Sequence, residues 1–255
     1  MPDPLKALSR YRPYGWLATI GVILPSANTV MEPELARLSP AGVTWHGART
    51  PVRGVPSQDS LDAMAAGTEA AAEDLASAEV DLVLYGCTSG SFMTDGERLV
   101  ERLQQIAGVP ATTTAACVLA ALRALGAQKV ALATPYRQFI TDGEVAWLEA
   151  EGFAVTSALG LDMGETERER RAINRIPPEV CYRLGREADR PEAGVLFLSC
   201  TAMASLTVVQ ALERDCGKPV ITSNLASAWG VMRMLGLREP MPWNCRLAPL
   251  HLRRP

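Results

Sequence analysis

The stretch Val83-Leu84-Tyr85-Gly86-Cys87-Thr88 has a second version farther down the chain, Leu196-Phe197-Leu198-Ser199-Cys200-Thr201. Each is a short apolar run that closes on a small residue, a cysteine and a threonine, and the two cysteines stand 113 residues apart. Two more blocks repeat at nearly the same spacing. Gly21-Val22-Ile23-Leu24-Pro25 answers to Val130-Ala131-Leu132-Ala133-Thr134-Pro135, with the prolines 110 apart. Gly108-Val109-Pro110, with threonines from Thr112 on, answers to Gly217-Lys218-Pro219 with Thr222-Ser223-Asn224, and these prolines are 109 apart. Three blocks in one order at nearly one offset mark an internal duplication.

The blocks lie in apolar, β-branched-rich runs at residues 18–24, 43–46, 80–85, 129–133, 194–198 and 219–222, which read as strands. Alanine-rich helical stretches at 60–78, 115–125, 141–151, 178–189, 204–214 and 226–235 separate them, with Gly126, Gly152, Gly217 and Gly236 as stops. Strands that are apolar throughout and alternate with helices predict parallel sheets covered on both faces. The expected fold class is α/β, in two pseudo-symmetric lobes. Ligands of such folds sit at the carboxyl ends of the strands. Both cysteines fall there, which predicts an active site in the cleft between the lobes.

At 48% hydrophobic and 21% charged, the 255-residue chain has material for a full core. Its net charge of -3 and scattered basic residues argue against nucleic acid and anionic membranes as partners. No run of about 20 apolar residues is present to span a bilayer, and residues 1–16, an N-terminal arm, do not resemble a signal peptide. The expected location is cytoplasmic. Six cysteines are too sparse for a disulfide scaffold, and a reducing compartment keeps them as thiols. There is no Cys-x-x-Cys pair, only His46 and His251 supply imidazole, and no glycine-rich dinucleotide turn occurs. Neither a metal nor another cofactor is expected. A homo-oligomer is compatible with the sequence.

A lone cysteine is most often a small buried hydrophobe, and Cys117, Cys181, Cys216 and Cys245 fit that role. Cys87 and Cys200 differ because each ends an apolar strand, precedes a threonine-led turn and occupies the equivalent place in its lobe. A thiol beside backbone donors is readily tuned to a thiolate near neutrality, so one thiolate and one thiol would make a matched base and acid. Thr88, Ser89, Gly90 and Ser91 offer hydroxyls and N–H groups to a carboxylate oxygen, as does the turn at Thr201; the same run also suits a helix N-cap. Asn28, after the first strand, and Tyr136, after its counterpart, are placed at the cleft rim as hydrogen-bonding groups for a carboxylate. The basic candidates are Arg49, Arg53 and Arg137, for which surface solvation is the competing fate.

Pro25-Ser26-Ala27-Asn28-Thr29 with Met31-Glu32, the two strand-end cysteines and Thr134-Pro135-Tyr136 together resemble the aspartate/glutamate racemase superfamily, in its branch of maleate cis-trans isomerases and arylmalonate decarboxylases. The resemblance covers about residues 18–237. It implies that Cys87 adds to a double bond, that Cys200 exchanges a proton, and that Asn28, Tyr136 and Asn174 bind carboxylate, with no metal or nucleotide. It also implies a C-terminal helix that returns to the first lobe. The lobes are then residues 17–112 with 225–250, and residues 113–224. One segment departs from the isomerase pattern: Cys87-Thr88-Ser89-Gly90-Ser91-Phe92 resembles the oxyanion turn of the decarboxylases, which carry glycine in place of Cys87.

The expected activity is isomerisation of a small dicarboxylic acid, maleate to fumarate. Alternatives are racemisation of an amino acid or 2-substituted carboxylic acid, decarboxylation of a disubstituted malonate, and a non-catalytic dicarboxylate-binding module whose cysteines merely pack.

Overall fold

The computed structural model describes residues 11–52 and 58–252. Its first half builds a parallel sheet from β1 (Ala18–Pro25), β2 (Val43–Thr50), β3 (Leu82–Tyr85) and β4 (Ala111–Thr113), in the order β2-β1-β3-β4. The second half repeats this with β5 (Lys129–Tyr136), β6 (Ala154–Met163), β7 (Val195–Leu198) and β8 (Val220–Thr222), in the order β6-β5-β7-β8. All pairings are parallel. The duplication read from the sequence is thus a duplication of topology, and the α/β class holds.

The central strands β3 and β7 are buried at every residue, which is why they read as unbroken apolar runs. Helices cover the sheets: α1 (Met31–Leu38), α2 (Gln58–Ser77), α3 (Thr88–Phe92), α4 (Gly96–Ala107) and α5 (Thr114–Ala124) in the first half. In the second half come α6 (Gln138–Ala150), α7 (Glu167–Ala172), α8 (Pro178–Ala188), α9 (Val209–Cys216) and α10 (Ser223–Met234). Gly126, Gly152, Gly217 and Gly236 all have positive φ, as helix stops require.

Equivalent junctions are built alike. Thr113 caps α5 by accepting the Ala116 N–H, and Thr222 caps α10 by accepting the Leu225 N–H, with φ -120° at both threonines. α5 and α10 pack on each other, and α10 also packs on α1. A Cβ on Gly230 would stand 2.7 Å from Cys117 Sγ, so the close approach of these two helices needs glycine there. Residues 223–232 of α10 are buried throughout.

Two carboxyls are sealed in this framework. Glu34 on α1 accepts from the Asn224 amide at 2.7 Å and the Leu206 N–H at 3.0 Å. Glu144 on α6 accepts from the Ser199 hydroxyl at 2.6 Å. Burial raises the first to about 7 and the second to about 8, against hydrogen bonds that pull the other way.

Several elements were not legible as such. β4 has three residues, too few to show a period, and β6 is a half-exposed edge strand carrying Gly160. The charged helix α4 lacks the alanine-rich composition that marks other helices, and residues 204–214 divide into a 3-10 turn at Leu206–Val208 and α9.

Because the folded protein holds the Glu34 and Glu144 protons more tightly than an unfolded chain does, their contribution is fully present below about pH 4.5 and is lost as pH rises through about 7 and 8. The thermal unfolding midpoint should therefore fall between about pH 5 and pH 8. Glu144→Gln, which keeps an oxygen for Ser199, should flatten the upper part of that slope; an unchanged slope in calorimetric scans would contradict the assignment.

Candidate active site

A cavity of about 840 Å3 opens at the carboxyl ends of both sheets, lined by Cys87, Cys200, Asn28, Thr88, Ser89, Tyr136, Asn174 and Thr201 among others. These eight residues are the cysteines and carboxylate-binding candidates expected from the sequence. The four other cysteines are packing residues, three buried and Cys216 half-buried.

Cys87 leaves β3 in extended conformation and serves as N-cap of α3, its Sγ accepting the Gly90 N–H at 3.4 Å and lying 3.9 Å from the Ser89 hydroxyl. The N-cap and anion-binding readings of this turn are one arrangement, with sulfur as the capping atom. A Cβ on Gly90 would meet Tyr85 Oη at 2.8 Å and Cys87 Sγ at 3.1 Å. Glycine there lets the backbone donor approach the sulfur.

Cys200 leaves β7 with φ +99°, a conformation that costs a residue with a side chain about 1–3 kcal/mol. Its neighbours hold it there. The Ser199 N–H donates to the Ala133 carbonyl at 2.8 Å, the Cys200 N–H to Ser223 Oγ at 3.0 Å, and the Thr201 hydroxyl to the Gly86 carbonyl at 3.1 Å. Cys200 Sγ itself accepts the Ala202 N–H at 3.4 Å. Ser223 Oγ also accepts the Thr88 hydroxyl at 2.9 Å, so one serine joins the two cysteine turns.

Asn28 lies deeper than the rim, at 2% exposure. Its Oδ1 accepts the Val30 and Met31 N–H groups, and its Nδ2 donates to Thr201 Oγ1 at 3.0 Å, which leaves one amide hydrogen uncommitted on a residue that lines the cavity. Arg49 does not line the cavity; it donates to the Asn28 carbonyl at 2.7 Å and pairs with Glu32. Arg137 does line it but is paired with Asp162 at 3.1 Å and Glu165 at 3.4 Å. Arg53 lies outside the described residues. Asn174 accepts the Thr29 N–H at 3.1 Å and donates to the Arg171 carbonyl at 3.3 Å, tying the two halves together.

The expected thiolate near neutrality is corrected by burial. Desolvation raises both thiols, Cys200 to about 12, where the Tyr136 hydroxyl and Ala202 N–H pull back and the negative charge of Cys87 adds to the rise. Cys87 is raised by the same cause, with the Gly90 N–H and Ser89 hydroxyl opposing it. Tyr136, raised well above its ordinary value by burial and then by Cys200, remains a neutral phenol and a donor.

Sequence reasoning missed Ser223, Tyr85 and Glu144 as parts of the site. Ser223 stood in the repeated Thr222-Ser223-Asn224 block, but nothing in one sequence reveals that the block reaches across to Thr88. Among the described residues no three His, Cys, Asp or Glu side chains gather into a metal-binding set, and no helix is long and apolar enough to cross a membrane.

The family model described as arylmalonate decarboxylase matches residues 20–248. The maleate isomerase of Nocardia farcinica is 31% identical over 242 residues, covering 89% of this chain and 94% of its own. The arylmalonate decarboxylase of Bordetella bronchiseptica is 29% identical over 226 residues, covering 86% and 90%. Among solved structures, a cysteine-to-alanine mutant of the maleate isomerase Iso from Pseudomonas putida S16 with maleate superposes with a TM-score of 0.83 at 26% identity, over 91% of this chain and 97% of that one. A cysteine-to-serine mutant of the Nocardia farcinica maleate cis-trans isomerase, with a covalently bound succinylcysteine intermediate, gives 0.82 at 28% identity, over 93% and 99%.

Cys87 is half-buried with two donors near its sulfur, whereas Cys200 is 7% exposed. Iodoacetamide should therefore alkylate Cys87 first, at a rate that rises with pH above neutrality because the thiolate is the nucleophile. Peptide mass spectrometry over a time course reads the order; earlier labelling of Cys200 would show that the buried thiol is the more acidic one.

Proposed function

We propose that this chain, which belongs to the arylmalonate decarboxylase family, is a cofactor-independent maleate cis-trans isomerase that works with Cys87 and Cys200. The observation that carries the proposal is the pair of thiols, one from each sheet, lining one cavity and braced by one serine. The maleate isomerase relatives support the substrate.

Cys87, once its thiol proton has passed to solvent, forms a bond through Sγ to one alkene carbon while the π electrons move onto the other carbon and its carboxylate. The Cys200 thiol delivers its proton to that carbon, leaving a single bond free to rotate. Cys200 then takes a proton back, the double bond re-forms as trans, and the Cys87 sulfur leaves. No proton or electron is consumed overall. The Thr88 and Ser89 turn, the Thr201 turn, the remaining Asn28 and Asn174 hydrogens and the Tyr136 hydroxyl are the donors for the carboxylates. A bound thiolate at Cys87 is favoured by the Gly90 N–H, which already points at the sulfur.

The lobes on this reading are residues 17–112 with 225–250, and residues 113–224, with the cleft between them as the reaction chamber. A cytoplasmic location is proposed on the six free thiols. A second reading, decarboxylation of a disubstituted malonate, is favoured by the Thr88-Ser89-Gly90 turn and by the Bordetella relative. It needs only an oxyanion pocket and Cys200 as proton donor.

Proton NMR in deuterated buffer should show maleate converted to fumarate by the wild-type protein. Cys87→Ser should abolish conversion, and Cys200→Ser should lower it by about 10²–10⁴-fold, the range for loss of a proton-transfer group. Intact mass spectrometry of Cys200→Ser with maleate should show the protein heavier by one maleic acid. Full activity in both serine variants removes the proposal. Phenylmalonate decarboxylation that survives in Cys87→Gly would favour the second reading.

A further inference from the structure

Arg170 on α7 lines the cavity, and its Nη2 is buried with no hydrogen-bond partner among the described residues. The other guanidinium groups on that wall are engaged or exposed. Arg102 makes a forked pair with Glu69 at 2.8 and 3.0 Å, Arg137 is held by Asp162 and Glu165, and Arg98 faces solvent. The acids that flank Arg170 in sequence are committed elsewhere: Glu167 pairs with Arg171 at 3.2 Å, Glu169 accepts the Glu165 N–H at 2.9 Å, and Glu165 pairs with Arg137. Asn174, one turn farther on, has its oxygen on the Thr29 N–H and an amide hydrogen on the Arg171 carbonyl. The amide keeps one hydrogen, and the guanidinium is the unengaged charged donor.

A buried guanidinium nitrogen without an acceptor is costly, and its best complement is a carboxylate, which accepts two parallel N–H bonds from the planar fork. We propose that Arg170 binds one of the two carboxylates of the substrate and makes the site selective for diacids. The carboxylate beside the carbon that Cys87 attacks meets neutral donors, the Ser89 hydroxyl and the N–H groups of the Thr88 turn. The remote carboxylate meets a fixed positive charge. Monoacids and malonates with an aryl group at the remote end lack the partner that this charge requires. The inference rests on the isomerase reading for the identity of the diacid, but not for its binding.

Titration calorimetry with succinate and butyrate, unreactive acids with the same four-carbon chain, tests it without turnover. The wild-type protein should bind succinate at least about tenfold more tightly, and Arg170→Gln should bring succinate to the level of butyrate while leaving butyrate unchanged. Arg170→Lys, which keeps the charge and loses the fork, should retain part of the preference. Maleate turnover should respond with KM raised about tenfold or more in Arg170→Gln and kcat within about threefold. Equal wild-type affinity for the two acids, no binding of either, or an undiminished preference in Arg170→Gln overturns the inference. A diacid preference lost in Arg170→Gln by a protein that fails to isomerise maleate would sink the isomerase reading and leave the role of Arg170 standing.

Discussion

Ser223 Oγ accepts the Thr88 hydroxyl at 2.9 Å and the Cys200 backbone N–H at 3.0 Å, so one buried oxygen fixes the turns behind both thiols. Both lone pairs are used, which sets the position of the oxygen in two directions at once. The serine can do this because Thr222 caps α10 and places the first residue of the helix under the strand ends of both sheets. The Cys200 φ of +99° persists only while such contacts over-determine it. Loss of the Ser223 hydroxyl would leave two buried donors without an acceptor and release the strained residue together with the opposite turn.

The neighbours of Cys200 carry this constraint outward to two buried carboxyls. Ser199 donates to Glu144 on α6, and the Thr201 carbonyl accepts from Asn224, which also donates to Glu34 on α1. The strained residue is thus bracketed by hydrogen bonds that end on groups raised toward neutrality by burial. Such acids lose stabilising power as pH rises, while thiolate chemistry gains from the same rise. On the isomerase reading, the geometry held at Cys200 and thiolate formation at Cys87 are therefore set against each other on the pH axis.

The topology was legible because the duplicated strands are buried on both faces and so declare themselves as apolar runs with strand-end cysteines. The two cysteines stood out by the same pattern, as equivalent positions at equivalent strand ends, and both line one cavity. What could not be seen were interactions between distant segments. Asn28 looks from its sequence like a rim amide, yet its oxygen is spent on the start of α1 and its nitrogen on Thr201. Asn174 and Arg170 sit four residues apart, and only packing decides that the amide closes the wall while the guanidinium keeps an unpartnered nitrogen. Donors in the Cys87 turn are visible in the sequence, but the desolvation that the surrounding core imposes and that raises the thiol is not.

The mixed character of the Cys87 turn has a physical explanation in the same terms. Backbone and hydroxyl donors grouped at a strand end favour negative charge, whether it resides on a carboxylate spreading into an enediolate or on a sulfur at the N-cap. In the decarboxylase pattern, with glycine at that place, the donors have only the oxyanion to hold. With Cys87 present, the Gly90 N–H reaches the sulfur at 3.4 Å while Thr88 is drawn back to Ser223. The turn is then divided between nucleophile and scaffold, and on the isomerase reading its remaining hydroxyl at Ser89 lies close enough to serve either the sulfur or the carboxylate beside it. On the isomerase reading the same donor set suits both chemistries of the family, and the sulfur at position 87 is what opens addition to an alkene.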